Sequence, residues 1–273
     1  LFILLLFTIG ALWYIIGYWR RKAGEAAFAA ARLTEKSEER ERYCRLAVMA
    51  GHRKACRMFC LLHPERFDGH SPHKPFKLRG IRISFYGYYY PSRYNALLND
   101  EQKAFCHSIY QFKQGDIHGI EFFKTCMNAL QLKKRPYHIM FMPCSNWIKY
   151  GQRFKRLDWY IGKHRQDLTS GLYDVDICDA RESLHEAKGG EKRILERNYL
   201  ITGKIKGKEI IIIDDVLTTG QSVVDYKEEI ERCGGKVVAA IFYGKTLSMP
   251  SMLLVQIHVW GNHIAHIIER MTK

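Results

Sequence analysis

Two adjacent carboxylates followed by small hydroxyl residues form the strongest chemical signal in this sequence. Asp214 and Asp215 follow an apolar run at 210–213, and the segment TTGQS extends from Thr218 to Ser222. Neighbouring carboxylates repel each other, so a purely structural role for the pair would be unfavourable. A ligand that presents two hydroxyl groups to the carboxylates and a phosphate to the following loop would explain both features. Ribose 5-phosphate has this combination of groups.

The surrounding residues predict the elements that would position this motif. The aliphatic run at 210–213 predicts a buried strand, and residues 222–233 predict the helix that follows the loop. Further strands are predicted at 137–142 and 236–244, and helices at 100–113, 117–132 and 150–166. Strands that alternate with helices indicate an α/β fold with a doubly wound, mainly parallel sheet. Such sheets bind ligands at the carboxyl ends of their strands, where the motif lies.

Three alternative assignments fit the motif less well. A strand end followed by a Ser or Thr helix cap would account for the hydroxyl residues but not for the two acids. A response-regulator receiver also has paired acids after an apolar strand, but most of that domain lies downstream of them. A Walker A loop is excluded because the motif itself contains no Gly-Lys-Ser or Gly-Lys-Thr.

The stretch from Ile210 to Ser222 resembles the motif with which type I phosphoribosyltransferases bind phosphoribosyl pyrophosphate (PRPP). The resemblance implies that Asp214 and Asp215 are the catalytic pair and bind the ribose hydroxyls, while the loop holds the 5-phosphate. It also implies Mg²⁺, held through PRPP rather than directly by the protein. The implied PRPP-binding residues are Asp214, Asp215, Val216, Leu217, Thr218, Thr219, Gly220, Gln221 and Ser222.

Three upstream segments are similar to one branch of these proteins, the ComF family. They are IYQFKQGD at 109–116, MPCSNWIKYGQRF at 142–154 and RESLHEAKGGEKRILERN at 181–198. The second resembles a pyrophosphate loop, and the third, which we call the hood, resembles a mobile cover that closes over the ligand. The implied pyrophosphate-binding residues are Pro143, Cys144, Ser145, Arg153, Arg193 and Arg197.

The resemblance implies transfer of a phosphoribosyl group from PRPP to a nitrogen acceptor. Cys144 and Ser145 replace residues that the family commonly has in its pyrophosphate loop, so a non-catalytic protein stays an alternative. Such a protein would sense nucleotides or act in natural competence, with single-stranded DNA or a competence-machinery protein as its partner. An oligomer is also left open. A nucleophilic role for Cys144 is not favoured, because no His–Asp partner pattern accompanies it.

The N-terminal residues predict a membrane anchor. Residues 1–19 carry no charge and would suffice for a transmembrane helix, and RRK follows at 20–22. By the positive-inside rule, this charge predicts a single-pass protein of the cell membrane (inner or plasma membrane) with its C-terminal domain in the cytoplasm. A cleaved signal peptide is the alternative, but its positive charge would precede the apolar run.

Residues 20–62 predict a small helical collar that resembles one Sel1-like repeat. His52, Cys56, Cys60 and His63 share one helical face there, which we interpret as a packed face because ligands along one straight helix cannot converge on a metal. Residues 63–80 are predicted as a linker and 81–273 as the phosphoribosyltransferase-like domain. The aromatic segment at 83–94 is compatible with a strand or with a docking segment.

Composition adds limits to these predictions. The chain has 273 residues and a net charge of +15, which suits a polyanionic partner without choosing among nucleic acid, lipid and phosphorylated substrate. The eight cysteines have no CxxC spacing, which argues against a zinc ribbon or a disulfide framework and for a reducing compartment.

Overall fold

A computed structural model describes residues 2–116, 119–177 and 198–272, with side chains from Leu6 onward. The chain divides into two compact units. The first contains Leu1–Gly69, Ser92–Asn99 and Ser248–Lys273, and the second contains His70–Pro91 and Asp100–Leu247. The predicted division into 20–62, 63–80 and 81–273 stays a prediction.

The first unit is helical. Small residues allow its helices to pack closely, since Ala31, Ala47 and Ala55 are completely buried at helix contacts. The helices described in this unit are α1 (Phe2–Leu33), α2 (Ser37–Met49), α3 (Arg53–Leu62), α4 (Pro64–Asp68), a 3₁₀ helix (Ser92–Leu97) and α9 (Met252–Met271). The collar predicted at 20–62 thus corresponds to the end of α1 together with α2 and α3.

The N-terminal helix corrects one prediction. α1 continues without interruption from the apolar residues through Arg20, Arg21 and Lys22. Within the part of the chain that the structure describes, no helix combines the length and apolarity that crossing a membrane requires. The transmembrane helix predicted at residues 1–19 is therefore not supported.

The second unit is built on a six-stranded, mainly parallel sheet. The strand order is β1-β2-β8-β7-β3-β4, and all neighbours are parallel except the edge pair β1 and β2. These strands are β1 (Phe76–Leu78), β2 (Ile81–Tyr89), β3 (Tyr137–Phe141), β4 (Leu168–Ser170), β7 (Glu209–Leu217) and β8 (Lys236–Thr246). The predicted α/β class with a mainly parallel sheet is confirmed.

Among its described residues, the second unit also contains a short antiparallel strand pair and four helices. The strand pair consists of β5 (Val175–Ile177) and β6 (Tyr199–Ile201), which lie on either side of residues 178–197 in the sequence. The helices are α5 (Asp100–Lys113), α6 (Gly119–Leu130), α7 (Trp147–His164) and α8 (Gln221–Arg232). Buried aromatic rings, including Phe112, Phe122 and Phe154, fill the space between helices and sheet.

The segments that the sequence left open form regular structure. The aromatic segment at 83–94 includes most of β2, and its Phe85 is completely buried because β2 pairs with β8 inside the sheet. The predicted linker contains α4 and β1. His70 stacks on Phe76 with the ring centroids 3.8 Å apart, so this polar stretch is held by contacts that its composition does not show.

Candidate active site

The carboxylate pair lies at the carboxyl end of β7. Ile210–Ile213 are completely buried because β7 is flanked by β3 and β8 and covered on both faces. The parallel registers place Ile213 opposite Phe141 and Asp214 opposite Phe242. The apolar run therefore inserts the strand into the sheet. The two acids follow that run within β7, just beyond the residue that lies opposite the end of β3.

The loop predicted to bind pyrophosphate follows β3, the strand next to β7. Met142 N donates a hydrogen bond to Ile213 O at 2.9 Å, which fixes the start of the loop beside the acids. Asn146 ends the loop and is the N-cap of α7. Its side-chain oxygen accepts a hydrogen bond from Lys149 N at 2.9 Å. Pro143, Cys144 and Ser145 thus lie between an anchored strand end and a capped helix.

Asn198, the last residue of the hood, forms hydrogen bonds with the same loop. Its side-chain nitrogen donates to Cys144 O at 3.1 Å and to Ser145 O at 3.4 Å, and the side chain is buried. Arg193 and Arg197, which were predicted to bind pyrophosphate, lie outside the described residues, as does the rest of the hood. The link through Asn198 nevertheless joins the C-terminal end of that segment to the loop.

Two cations face the carboxylate pair. Arg153 on α7 places a guanidinium nitrogen 2.9 Å from Asp215 Oδ2 and 3.6 Å from Asp214 Oδ1. Lys113, the last residue of α5, places Nζ 3.2 Å from the same Asp215 oxygen. Residues far apart in the sequence therefore converge on one pair of acids.

Burial dominates the electrostatics of this cluster. The pKa of Asp214 is raised to about 8, first by loss of solvent and second by the Asp215 charge, while Arg153 opposes the shift. Burial disfavours the charged form of Arg153, but the carboxylates of Asp215 and Asp214 more than offset this and raise the pKa of the guanidinium. Asp214 is thus a carboxyl group whose protonation changes near neutral pH.

The loop after the acids is open to solvent. Thr218 and Thr219 are exposed, and α8 begins directly after Gly220, which is in the left-handed conformation with φ of 78°. A Cβ at Gly220 would lie 2.3 Å from Leu78 Cδ2, so both the conformation and the close approach favour glycine. Glycine, rather than Ser or Thr, occupies the N-cap, and the Thr219 hydroxyl accepts from Gln221 N, the first amide of α8, at 3.4 Å.

A third cation, which the sequence did not single out, lies beside this loop. Arg79 in the β1–β2 turn donates to Gln221 Oε1 at 2.6 Å, and Gln221 Nε2 donates to Asp225 Oδ1 at 2.6 Å. Nothing near Arg79 in the sequence signals this contact, because it depends on β1 turning back along the sheet. Lys113 had a weak signal in the segment IYQFKQGD.

Cys144 is not an activated nucleophile. Burial raises the pKa of its thiol to about 12, and Arg153 opposes that shift without reversing it. The thiol is therefore protonated near neutral pH, in agreement with the expectation from the sequence.

A buried histidine supports the strands under the site. His138 on β3 makes hydrogen bonds of 2.7 Å to Thr169 Oγ1 and 2.6 Å to Asp174 Oδ2. Burial lowers the pKa of His138, and Asp174 counteracts part of that change. These hydrogen bonds connect β3 with β4 and with the turn before β5. The histidine therefore positions β5, the strand that precedes the hood in the sequence.

No group of three His, Cys, Asp or Glu side chains that could hold a metal ion occurs among the described residues. The two acids instead face Arg153 and Lys113. In the first unit, Cys56 and Cys60 are buried in the helix packing. His52 and His63 flank α3 as its N-cap and C-cap, so of the four residues only the two cysteines lie within the helix.

Comparison with known proteins agrees with the geometry. Residues 166–246 match the model of the phosphoribosyl transferase domain family. The chain carries a phosphoribosyltransferase-like region. Over 57 residues it is also 42% identical to an orotate phosphoribosyltransferase of Sulfolobus acidocaldarius. That match covers 20% of this chain and 26% of the relative, so the chain spans about a quarter of the length of the curated protein it matches.

The phosphoribosyltransferase-like region includes the acids, the open loop and all of β8. The match supports a type I phosphoribosyltransferase-like family, while the ComF branch and the Sel1-like repeat stay predictions.

Proposed function

We propose that this protein binds PRPP and transfers its phosphoribosyl group to a nitrogen acceptor. One observation carries the proposal: Asp214 and Asp215 near the carboxyl end of β7, and the exposed loop that follows this strand, lie beside the loop that follows β3. PRPP needs these two neighbouring sites because it carries a phosphate at one end of its ribose and a pyrophosphate at the other. The matched family supports the same ligand.

Each end of PRPP has suitable partners. The carboxylates of Asp214 and Asp215 accept hydrogen bonds from the ribose hydroxyls, and the residues from Thr218 to Ser222 surround the 5-phosphate. Arg79, which contacts Gln221, adds positive charge beside that phosphate. Backbone amides of Pro143–Ser145 are assigned to the pyrophosphate, except at Pro143, which has no amide hydrogen.

Arg153 is placed to serve both parts of the ligand. It follows the pyrophosphate loop on α7 and already contacts the acids, so a modest rotation of its side chain would exchange a carboxylate for a pyrophosphate oxygen. The assignment of Arg193 and Arg197 to pyrophosphate stays part of the proposal.

Mg²⁺ would accompany PRPP through phosphate oxygens and neutralise part of the pyrophosphate charge as it leaves. The chain's own residues then position the two ends of the ligand and offset the charge that develops on the ribose ring. In the transfer, the acceptor nitrogen forms a bond to C1 while the bond from C1 to the pyrophosphate oxygen breaks. Pyrophosphate leaves with the electron pair, and the acceptor nitrogen releases its proton to solvent.

Calorimetric titration of the full chain with PRPP and Mg²⁺ tests the proposal. We expect saturable binding that is weaker for ribose 5-phosphate, which lacks the pyrophosphate, and for PRPP without Mg²⁺. Release of pyrophosphate in the presence of candidate nitrogen acceptors would then show turnover. Absence of PRPP binding would overturn the proposed site, whereas binding without release would favour the nucleotide-sensing alternative.

A second function, binding of single-stranded DNA, has one observation in its favour. Exposed Trp147, Trp159 and Tyr173 line a cavity of about 640 Å³ together with Lys155 and Arg156. Stacking aromatic rings beside cations suit a single strand of nucleic acid. The aromatic segment at 83–94, by contrast, lies largely in the buried strand β2 and offers little stacking surface.

Quenching of tryptophan fluorescence by an oligothymidylate tests this second function. Arg156→Gln should weaken binding and reduce the slope of log K against log salt concentration by about one. Lys204→Gln, which changes an exposed residue elsewhere on the unit, should have little effect on either quantity. Equal effects of both substitutions would indicate a nonspecific charge effect. Location at the cell membrane, oligomerisation and a competence-machinery partner stay predictions.

A further inference from the structure

A basic cavity in the first unit is formed by residues that take no part in the proposed PRPP site. It has a volume of about 790 Å³ and is formed by α1, the turn between α2 and α3, and the start of α3. Arg20, Arg21, Arg53 and Lys54 line it, together with a single acidic residue, Glu25. A concentration of cations in a concave surface attracts anions more strongly than the same charges on a convex one.

The acidic residue does not neutralise this cavity. Glu25 Oε2 already forms an ion pair of 3.3 Å with Lys22 on the same helix. Among the residues that the structure describes, no carboxylate forms an ion pair with Arg53 or Lys54. The cavity therefore retains a positive charge that the protein itself does not compensate.

The backbone shapes the cavity for a compact ligand. Gly24 allows α1 to approach the α2–α3 turn, since a Cβ there would lie 3.1 Å from Ala50 Cβ. Arg20 donates to Met49 O at 3.1 Å, which holds its guanidinium at the cavity wall. His52 is the N-cap of α3, and its side chain accepts from Ala55 N at 3.2 Å. The backbone amides of Arg53 and Lys54, in the first turn, have no carbonyl partner within the helix.

We propose that this cavity binds a phosphate monoester, either a soluble phosphate or the headgroup of an anionic lipid. A phosphate has oxygens enough for several cations at once, and guanidinium groups bind its oxygens in pairs. Helix-start amides add donors to the same anion. The site shares no residue with the acids and the loop of the second unit, so it survives or fails independently of the proposed transferase function.

The proposal is tested by measuring amide hydrogen exchange of the full chain, resolved to individual peptides, with and without inorganic phosphate. Phosphate should slow exchange in peptides that cover residues 50–56. Arg53→Gln and Lys54→Gln should each weaken this effect about tenfold, since a hydrogen bond to a charged group contributes about that factor. Arg57→Gln removes an exposed charge from the same helix outside the cavity and should leave the effect unchanged.

The source of the phosphate is decided by a second arm with vesicles. Phosphatidylcholine vesicles containing phosphatidic acid are compared with vesicles containing phosphatidylserine, whose phosphate is a diester. Slower exchange at 50–56 with phosphatidic acid alone would assign a lipid headgroup, and slower exchange with inorganic phosphate alone would assign a soluble ligand. The proposal is overturned if neither probe slows exchange there, or if Arg57→Gln weakens the effect as much as Arg53→Gln.

Discussion

Both units contain a cluster of buried ionisable side chains, but the two clusters differ in charge. In the first unit, Cys44, Cys56 and Cys60 lie close enough to influence one another, and burial raises the pKa of Cys44 and of Cys60 to about 12. Those thiols are neutral and contribute to packing. In the second unit, Asp214 and Asp215 face two cations within a buried setting.

Burial alone therefore does not make a reactive site. Burial favours the neutral form of any acid, and in the helical unit nothing opposes that preference strongly. In the second unit, Arg153 stabilises the ionised carboxylates while solvent is largely excluded. The outcome is a group, Asp214, whose pKa of about 8 lies near physiological pH rather than far above it.

The largest expected effect comes from removing the two acids. Asp214→Ala combined with Asp215→Ala should weaken PRPP binding at least about a hundredfold, because each lost hydrogen bond to a carboxylate costs about 1.5–3 kcal/mol. Calorimetry with PRPP and Mg²⁺ measures the change. Asp167→Ala is the matched control. Asp167 precedes β4, so it lies at the amino ends of the parallel strands, whereas the two acids lie near their carboxyl ends.

Circular dichroism would show that the double variant remains folded. PRPP binding that persists undiminished in a folded double variant would remove the acids from the site, and the contrast between the two clusters would lose its functional meaning.

The sequence predicted the parts of this cluster that are local. Strand β7, the two acids and the loop lie in one continuous stretch, so periodicity and residue type were sufficient to predict them. The contact of Lys113 with Asp215 was not predictable, because it depends on how α5 packs against the sheet. Arg79 reaches Gln221 across 142 positions of sequence, a contact that follows from sheet topology.

The helical unit was harder to predict for a related reason. Alanine-rich segments indicated helices, but the breaks after Leu33 and Met49 were not predicted. Within this unit, the C-terminal helix α9 contacts α2 and α3, and its Gln256 side chain donates to Val48 O at 3.4 Å. Such a contact between distant parts of the chain is set by tertiary packing rather than by local pattern.

The next effect concerns the cation that distinguishes the two clusters. Arg153→Ala should lower the free energy of unfolding by about 3 kcal/mol, because two neighbouring buried carboxylates would lose their main counter-ion. Chemical denaturation measures the change. Arg156→Ala, on the exposed face of the same helix, should stay within about 0.5 kcal/mol of the parent protein.

A double variant sharpens this test. Asp215→Asn added to Arg153→Ala should recover part of the lost stability, since it removes a carboxylate that has lost its guanidinium partner. Additive losses would mean that Arg153 acts through packing, and the difference in charge between the two clusters would then have no energetic consequence.

A smaller effect is expected at the glycine of the loop. Gly220→Ala should destabilise the protein by about 2–3 kcal/mol, since it combines a left-handed conformation with overpacking against Leu78. Gly207 has a similar φ of 76° and no atom within 4 Å of an added Cβ, so Gly207→Ala should cost about 1–2 kcal/mol. Thermal unfolding of both variants measures the difference, and equal losses would show that the Leu78 contact is unimportant.

The smallest effect is the pH dependence of PRPP binding. Asp214 accepts hydrogen bonds from the ribose only when it is ionised, and burial raises its pKa to about 8. Affinity should therefore be highest above pH 8 and fall as the pH is lowered through that value, by up to about tenfold per unit. Calorimetry at a series of pH values measures the slope, with PRPP and Mg²⁺ as the ligand throughout.

Asp214→Asn provides the control, because an amide cannot titrate while the phosphates of PRPP ionise equally with both proteins. The affinity of the parent protein relative to this variant should rise from about pH 6 to about pH 9, and a constant ratio would show that Asp214 is not the titrating group.

Protein stability provides an independent check of the direction of the Asp214 pKa shift. An acid whose pKa is higher in the folded state than its ordinary 3.8 binds more protons when folded, so stability should fall as pH rises from about 4 to about 8. Asp214→Asn should make that fall shallower whether or not PRPP binds, which separates the electrostatics of the buried pair from the identity of its ligand.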